Sequence, residues 1–414
     1  MRSALIIGGG IAGPAAAIAL RQAGFDATVC EAYPAGADEV GSWLTLQANG
    51  IDALAAIGAH SLVASIGFAT RTMRFVNGNG RVLGTISNGN PLPDGTPSQM
   101  VPRAALYRAL RDEAEARGAH VHYNARLIDA RLAPGGGVQA TFADGEVRSA
   151  DVLIGADGIR SVVRRIIDPA APEARYVPVL NLGDKIPDFP LSLLGRPTDE
   201  FQMIFGKRCF FGITATPDGG AVWFANPPEP QEPPAGQLQR VSSAAWRSRL
   251  ARLFEDDNGP VADVARRAIQ SAPEPLLAWP TYDLPTVPKW HRGAIAIIGD
   301  AAHATAPSAG QGAALALEDA VVIAQCLRDS PDAETAFTAF EEIRRDRVEK
   351  TATHGNRGST SKAVGPFGRI IRDAILPIIF RHLSSNNGAA TQWITNHHID
   401  WASTPIPLAP SLPE

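Results

Sequence analysis

The stretch from Ala4 to Glu31 constrains the fold more than any other part of the chain. Four apolar residues, Ala4-Leu5-Ile6-Ile7, run directly into Gly8-Gly9-Gly10-Ile11-Ala12-Gly13 and an alanine-rich segment that closes at Gly24. Phe25 to Cys30 then alternates into Glu31. This order specifies strand, glycine turn, helix with a C′ glycine, and second strand. Its consequence is a parallel βαβ unit with a right-handed crossover. Without a Cβ, Gly8, Gly10 and Gly13 allow a tight turn and let the backbone approach a pyrophosphate. The helix behind them, opening with Ile11 and Ala12, aims unpaired N–H groups and its positive dipole end at that anion. Glu31 lies 18 residues beyond Gly13, near the spacing at which a carboxylate meets an adenosine ribose. The spacing predicts a dinucleotide site and leaves open which dinucleotide.

Composition narrows the classes around this unit. The 414 residues carry 38 Lys+Arg against 42 Asp+Glu, with 45% hydrophobic and 19% charged residues, which excludes a disordered chain and a basic nucleic-acid binder. The length suggests two or three domains, or one large α/β body with an insertion. Cys30, Cys209 and Cys326 are isolated, without a CxxC, so no zinc site or disulfide framework is expected and a reducing cytoplasm is. The N-terminal apolar run is too short to span a membrane, and glycines interrupt it where a signal peptide would continue.

Further elements follow from turn and helix signals. Short helices are expected near Ala48–Ile57 and from Pro102 to Arg117, the latter with Pro near its first position. Hairpins are expected around Asn77-Gly78-Asn79-Gly80, Pro134-Gly135-Gly136-Gly137 and Asp144-Gly145. From about Tyr176 to Trp279, apolar runs such as Phe201–Phe205, Cys209–Ala215 and Ala221–Ala225 alternate with Pro- and Gly-rich turns, which reads as a mostly antiparallel second layer. A helical stretch near Val241–Phe254, another over Gly310–Leu327, and mainly helical structure beyond Asp332 complete the pattern.

Two more motifs carry chemistry. A buried strand over Asp151–Gly155 delivers Ala156-Asp157-Gly158, with Arg160 and Arg164 just beyond. Taken alone, this is a strand-ending turn with solvated arginines. A second buried strand over Ala294–Gly299 delivers Asp300-Ala301-Ala302-His303, and Pro307-Ser308-Ala309-Gly310-Gln311-Gly312-Ala313 opens a helix facing the same crevice. Ligands of open α/β sheets bind at such carboxyl ends of strands.

In this order and spacing, the three motifs resemble the para-hydroxybenzoate hydroxylase-like family, the class A, single-component flavoprotein monooxygenases. The resemblance covers roughly residues 4–340. It implies an α/β fold: a Rossmann-type, GR2-like FAD-binding domain with an inserted, mostly antiparallel β-sheet substrate domain and C-terminal helices. The FAD-binding domain would comprise 1–70, 101–165 and 286–340, the substrate domain 71–100 and 166–285, and the helical segment 341–414. Gly8, Gly10, Ile11, Ala12 and Gly13 would hold the FAD diphosphate, and Glu31 the ribose. Asp157 would serve FAD and the passing nicotinamide, and Asp300 the ribityl chain. The Pro307–Ala313 loop, with Gly310 and Gly312, would lie beside the isoalloxazine ring. Arg103 occupies the FAD-contacting arginine position, Leu127 the adenine position and Leu44 the loop lining the flavin. Trp43 is unusually large for that loop, and Ala304 stands where relatives carry proline.

The resemblance also implies the reaction. NADPH or NADH would reduce FAD, and one atom of O2 would pass through a C4a-hydroperoxyflavin to an aromatic or polyketide-like hydrophobic substrate. Hydroxylation is expected, with epoxidation or a flavin-dependent reductase of the same fold as alternatives. No nucleophilic catalytic residue and no metal is implied, because the cofactor carries the chemistry. Candidate substrate walls are Phe201, Met203, Phe205, Phe210, Phe211, Trp223 and Phe224, with Pro307; strand alternation lets about half of them face the pocket. His303 reads as a packing or hydrogen-bonding residue, and the His397-His398 pair as surface or core residues with no third ligand for a metal. The Pro366–Leu383 stretch, apolar around much of its circumference, reads as packing against the body or a partner subunit, with a membrane surface as the alternative. A monomer or homodimer is expected.

Overall fold

The computed structural model describes residues 2–35, 42–195, 199–305, 310–359, 365–385 and 389–405. Its first layer is a six-stranded sheet in the order β19-β20-β12-β1-β2-β8. The strands are β1 (Ser3–Ile7), β2 (Asp26–Cys30), β8 (His120–His122), β12 (Val152–Gly155), β19 (His291–Arg292) and β20 (Ile295–Ile297). All neighbours are parallel except β19 with β20. Every residue of β12 and β20 is buried, the continuous apolar signature of strands covered on both faces.

Helix α1 (Ala12–Gln22) packs on this sheet through a run of alanines. Those small residues let it lie close to α9 (Gly312–Asp329), which is buried over most of its length. Helix α2 (Ala48–Ala56) crosses α9 tightly: a Cβ on Gly50 would stand 2.9 Å from the Ala314 Cα. Helices α3 (Ser61–Ile66), α4 (Arg103–Ala116), α5 (Val162–Ile167) and the long α10 (Ala333–Ser359) complete the helical shell. A three-stranded meander of β9 (Leu127–Leu132), β10 (Val138–Phe142) and β11 (Val147–Ala150) adds Val138, Ala140 and Phe142 to the same core.

A second layer is an eight-stranded sheet, β18-β13-β17-β16-β15-β5-β6, with β14 (Lys185–Ile186) paired to β17. Its strands are β5 (Thr72–Asn77), β6 (Val82–Ser87), β13 (Arg175–Leu182), β15 (Glu200–Phe205), β16 (Phe210–Ala215), β17 (Ala221–Asn226) and β18 (Ala278–Asp283). Neighbours are antiparallel except for β15 with β5. Helices α6 (Ser243–Leu253) and α7 (Pro260–Ser271) fill one face of this sheet with Trp246, Leu250 and Val264. A small sheet of β3 (Trp43–Leu46), β7 (Gln99–Pro102) and β4 (Phe68–Ala69) bridges toward the other face. Beyond it come α8 (Asp300–His303), α11 (Pro366–Ser385) and α12 (Ala389–Thr395).

The expected hairpins form, with Gly80 and Gly145 at positive φ in their turns. Pro102 sits one position earlier than expected: it is the N-cap of α4, in extended geometry, and Arg103 opens the helix. Helix α7 was not expected from the sequence, although Gly259 at φ +71 followed by Pro260 at the first helical position marks its start.

Candidate functional site

Strand adjacency assembles the site. The three motifs leave the carboxyl ends of β1, β12 and β20, which lie side by side, and Glu31 leaves β2 next to β1. Residues separated by nearly 300 positions thereby converge on one rim of the sheet.

The glycines divide the work in that rim. Gly8, at φ +113, lies so close to the β12 loop that a Cβ would meet the Ala156 carbonyl oxygen at 2.3 Å. A Cβ on Gly13 would stand 1.9 Å from the Gly8 carbonyl oxygen. Both positions are therefore closed by backbone. A Cβ on Gly10 would meet nothing within 4 Å, so this glycine faces open space in front of α1. The N-cap of α1, Ile11, offers no side-chain acceptor, and the first-turn N–H groups have no intrahelical partner. Glu31 is buried beside them. Its Oε2 accepts the Gly9 N–H at 2.7 Å and its Oε1 the Tyr33 N–H at 2.9 Å.

Asp157 spends its carboxylate on the protein itself. Oδ1 accepts from the Ser161 hydroxyl at 2.5 Å, and Oδ2 accepts the N–H groups of Val162 and Val163 at 2.7 and 3.1 Å. Burial pushes this carboxyl up, while those hydrogen bonds pull against it. Asp157 thus holds the start of α5, and its Cα would lie 3.1 Å from a Cβ on Gly8. Arg164, read from sequence as solvated, is buried. It donates to the carbonyls of Ala301 at 2.9 Å and Ile159 at 2.7 Å, tying the second motif to the third.

Asp300 opens α8 with an exposed side chain, preceded by Gly299 at φ +59. A Cβ on Gly312 would stand 3.8 Å from Asp300 Oδ1, so the exposed carboxylate and the start of α9 are neighbours. Gln311, the N-cap of α9, gives no side-chain cap, so among the described residues no side chain caps the N–H groups of Gly312 and Ala313. Gly310 sits at φ +61, and Pro307 lies outside the described residues.

Beneath both loops runs a buried polar network that sequence reasoning missed. Asp319 Oδ2 accepts the Gly299 N–H at 2.9 Å and His303 Nε2 stands 2.5 Å from it. Glu318 Oε1 accepts from Asn49 Nδ2 at 2.7 Å, and Asn49 also donates to Gln311 Oε1 at 2.9 Å. Fully buried Arg344 bridges the two acids, 2.7 Å from each, and Arg347 adds a second pair to Glu318 at 2.6 Å. Burial alone would raise the Asp319 carboxyl; the charges of His303 and Arg344 and the bonds from His303 and Gly299 outweigh it, holding it at about 2. Burial likewise opposes ionisation of Glu318, and Arg344 and Arg347 keep it below its ordinary value.

Leu44 pairs with Val101 in the small sheet, and the Arg103 N–H donates to the Ser42 carbonyl at 3.0 Å, which brings these two positions to one edge. Arg103 extends an exposed side chain from the start of α4. Leu127 is buried at the start of β9, two residues beyond Ala125, whose N–H bonds the Glu31 carbonyl at 2.8 Å.

The second sheet packs one apolar face against the small sheet and α11. Register places Phe201, Met203 and Phe205 of β15 with Phe210 of β16 and Phe224 of β17 on a single face. Phe201, Met203 and Phe224 pack there with Trp43, Phe68 and Met100 of the small sheet. Phe211 and Trp223 belong to the opposite face and correct the sequence expectation. Their rings stack at 5.6 Å and pack against Phe254 and Trp246, because the ladder phase turns them toward α6 and α7.

The residues present fit FAD. Gly10 leaves room for a diphosphate, two helix N-termini offer unpaired N–H groups, and Glu31 and Asp300 supply acceptors at the two ends of the rim. A family model described as FAD binding domain matches residues 1–353. FAD-dependent urate hydroxylase of Mycolicibacterium vanbaalenii is 28% identical over 354 residues, covering 83% of this chain and 84% of its own. The putative FAD-dependent monooxygenase YetM of Bacillus subtilis is 30% identical over 359 residues, covering 84% and 91%. Among solved structures, a Klebsiella pneumoniae HpxO variant complexed with FAD superposes with a TM-score of 0.80 at 25% identity, covering 95% of this chain and 99% of that one.

Proposed function

The chain belongs to the FAD-binding-domain family, and from that premise we propose that it is a single-component hydroxylase of apolar aromatic or polyketide-like small molecules, with NADPH or NADH as electron donor. It is an FAD-dependent flavoprotein monooxygenase. One observation carries the substrate reading: the Phe201, Met203 and Phe224 face packs with Trp43 and Met100 of the small sheet, whose strands also carry Leu44 and lead into Arg103. The urate hydroxylase relatives act on a polar heteroaromatic ring, whereas this face favours an apolar one.

When bound, FAD accepts a hydride from the nicotinamide and activates O2 for transfer of one oxygen atom. The protein's residues position and shield. Gly10 and the α1 N-terminus would receive the diphosphate, Glu31 the ribose, Asp300 the ribityl chain, and the α9 N-terminus at Gly312 and Ala313 would stabilise negative charge on the ring. The aromatic face excludes water, which slows wasteful loss of activated oxygen as peroxide. Asp157 contributes by fixing the loop beside Gly8.

We read 1–70, 101–165 and 286–340 as the cofactor-binding body, and 71–100 with 166–285 as the substrate layer. Cys30 and Cys326 are buried free thiols pushed up to about 12 by desolvation, which suits a reducing cytoplasm and offers no reactive thiolate. No helix among the described residues is long and apolar enough to cross a membrane.

A panel of apolar aromatics and polyketides tests the function. A substrate should stimulate NAD(P)H oxidation and carry one ¹⁸O atom from ¹⁸O2 into product. Turnover that continues unchanged without oxygen would instead establish a reductase.

A further inference from the structure

Helix α11 is built inside out. A surface helix ordinarily buries its apolar stripe and shows water its charges. Here the charged residues turn inward: Arg372 is buried with its guanidinium 4.8 Å over the Phe205 ring, and Asp373 Oδ2 accepts from Asn77 Nδ2 at 2.7 Å. Phe380 anchors the helix by stacking on Phe75 at 4.5 Å. The exposed stripe then reads Phe367, Ile370, Ile371, Ala374, Ile375, Ile378 and Ile379, without one polar residue among its exposed positions until Arg381. Phe367 is 84% exposed, and Ile370 and Ile378 are each 69% exposed. Side chains at these exposures form a patch above the few hundred Å² a monomer ordinarily shows. They supply a large part of the roughly 800 Å² each partner contributes to a stable interface.

We propose that α11 is the seam of a two-fold symmetric homodimer in which the helix crosses its own copy, antiparallel, at Ala374. The spacing is self-complementary about that residue. Ala374 is the one small side chain of the stripe, so two backbones can approach closely there. Ile370 and Ile378 lie four residues to either side and would meet each other across the axis. Phe367 and Arg381 lie seven residues to either side, about 10 Å along the helix. Antiparallel crossing therefore sets the Arg381 guanidinium over the partner's Phe367 ring, a cation–π contact made twice. Local charge favours a second copy over an anionic bilayer. Arg369 donates to the Lys207 carbonyl at 2.5 Å, which brings Lys207 and Arg208 to the N-terminal end of the stripe. Arg208 is paired with Glu255 and Asp256, so that end presents matched charges and not a cationic patch. Because Phe75 and Phe205 belong to the second sheet, the seam would also clamp one end of its apolar face.

Light scattering on the FAD-loaded full chain at micromolar concentration should give a dimer. The double variant Ile370→Asp with Ile378→Asp should give a monomer that keeps its flavin absorbance. A cysteine on the axis supplies a second readout independent of stability, since the three native thiols are buried. Ala374→Cys should form a disulfide-linked dimer under mild oxidation at least about ten-fold faster than the exposed control Ala64→Cys, because pairing raises the local thiol concentration. A monomeric wild-type chain would overturn the proposal. So would a dimer that persists in the double variant, Ala374→Cys linking no faster than the control, or a monomer that sediments with phosphatidylglycerol-containing vesicles.

Discussion

Asp319 Oδ2 receives the Gly299 N–H at 2.9 Å, so a side chain on α9 fixes the backbone step from which Asp300 projects. The neighbouring Glu318 fixes Gln311 through Asn49. Two adjacent acids on one helix thus hold both loops of the third motif, and Arg344 balances them.

Asp319→Asn keeps the shape and removes the charge. The Gly299 bond can persist, but Arg344 loses a counter-ion in a dry site, a change that costs about 3–5 kcal/mol. Thermal unfolding should shift down sharply and FAD affinity should fall with it. A melting temperature equal to wild type would refute the role assigned to this acid.

The same acid sets a pH dependence. Its folded-state value, about 2, lies below the ordinary Asp range, so its contribution to stability is complete above about pH 4 and disappears as pH falls toward 2. Denaturant titrations across that window should show a loss of stability that is markedly smaller in Asp319→Asn.

Gly10→Ala and Gly13→Ala should separate binding from folding. At Gly13 an added methyl collides with the Gly8 carbonyl, so the variant should lose about 1–3 kcal/mol or more of stability. At Gly10 the methyl enters open space. The apo-protein should melt normally while FAD affinity, followed by flavin fluorescence, drops at least about ten-fold, the scale of 1.4 kcal/mol.

Asp300→Ala should behave like Gly10→Ala. Its side chain is exposed, so apo stability should change by no more than about 0.5 kcal/mol while flavin retention falls. Full occupancy with unaltered turnover would remove Asp300 from the cofactor site.

Met203→Ala and Phe211→Ala should part company. Phe211 is packed on the helix side, and its truncation should cost about 3–5 kcal/mol without changing the substrate profile. Met203 lies on the opposite face, with Trp43 and Met100; its truncation should raise KM for a hydrophobic substrate and the fraction of NAD(P)H lost to hydrogen peroxide.

What the sequence made legible was local. The glycine turn, the α1 helix and β2 follow from neighbouring residues, and so do the hairpins at Gly80 and Gly145. The three motifs could be placed together because buried parallel strands end at their carboxyl edges. The phase of β16 and β17 was not legible: alternation says that half of the aromatics face away, but pairing with β15 and packing by α6 and α7 choose which half. Nor was the Glu318-Asp319 network legible. Adjacent acids on a helix look solvated until Arg344, brought alongside by α10, lies between them. The bonds Asp157 makes to the first N–H groups of α5 were not legible either, because a strand-ending Asp-Gly turn does not reveal how the next helix will engage it.

The parallel pairing of β15 with β5 carries a consequence for biosynthesis. Asn77 ends one strand and Glu200 begins its neighbour. A ribosome adding about 5–20 residues per second needs roughly ten seconds to cover that gap. Throughout it, the β5–β6 hairpin waits with Phe75 and an unsatisfied strand edge uncovered, the kind of surface that chaperones engage and that competing chains can capture. Yield of soluble protein should therefore respond to translation rate and chaperone supply more than the stability of the finished fold would suggest.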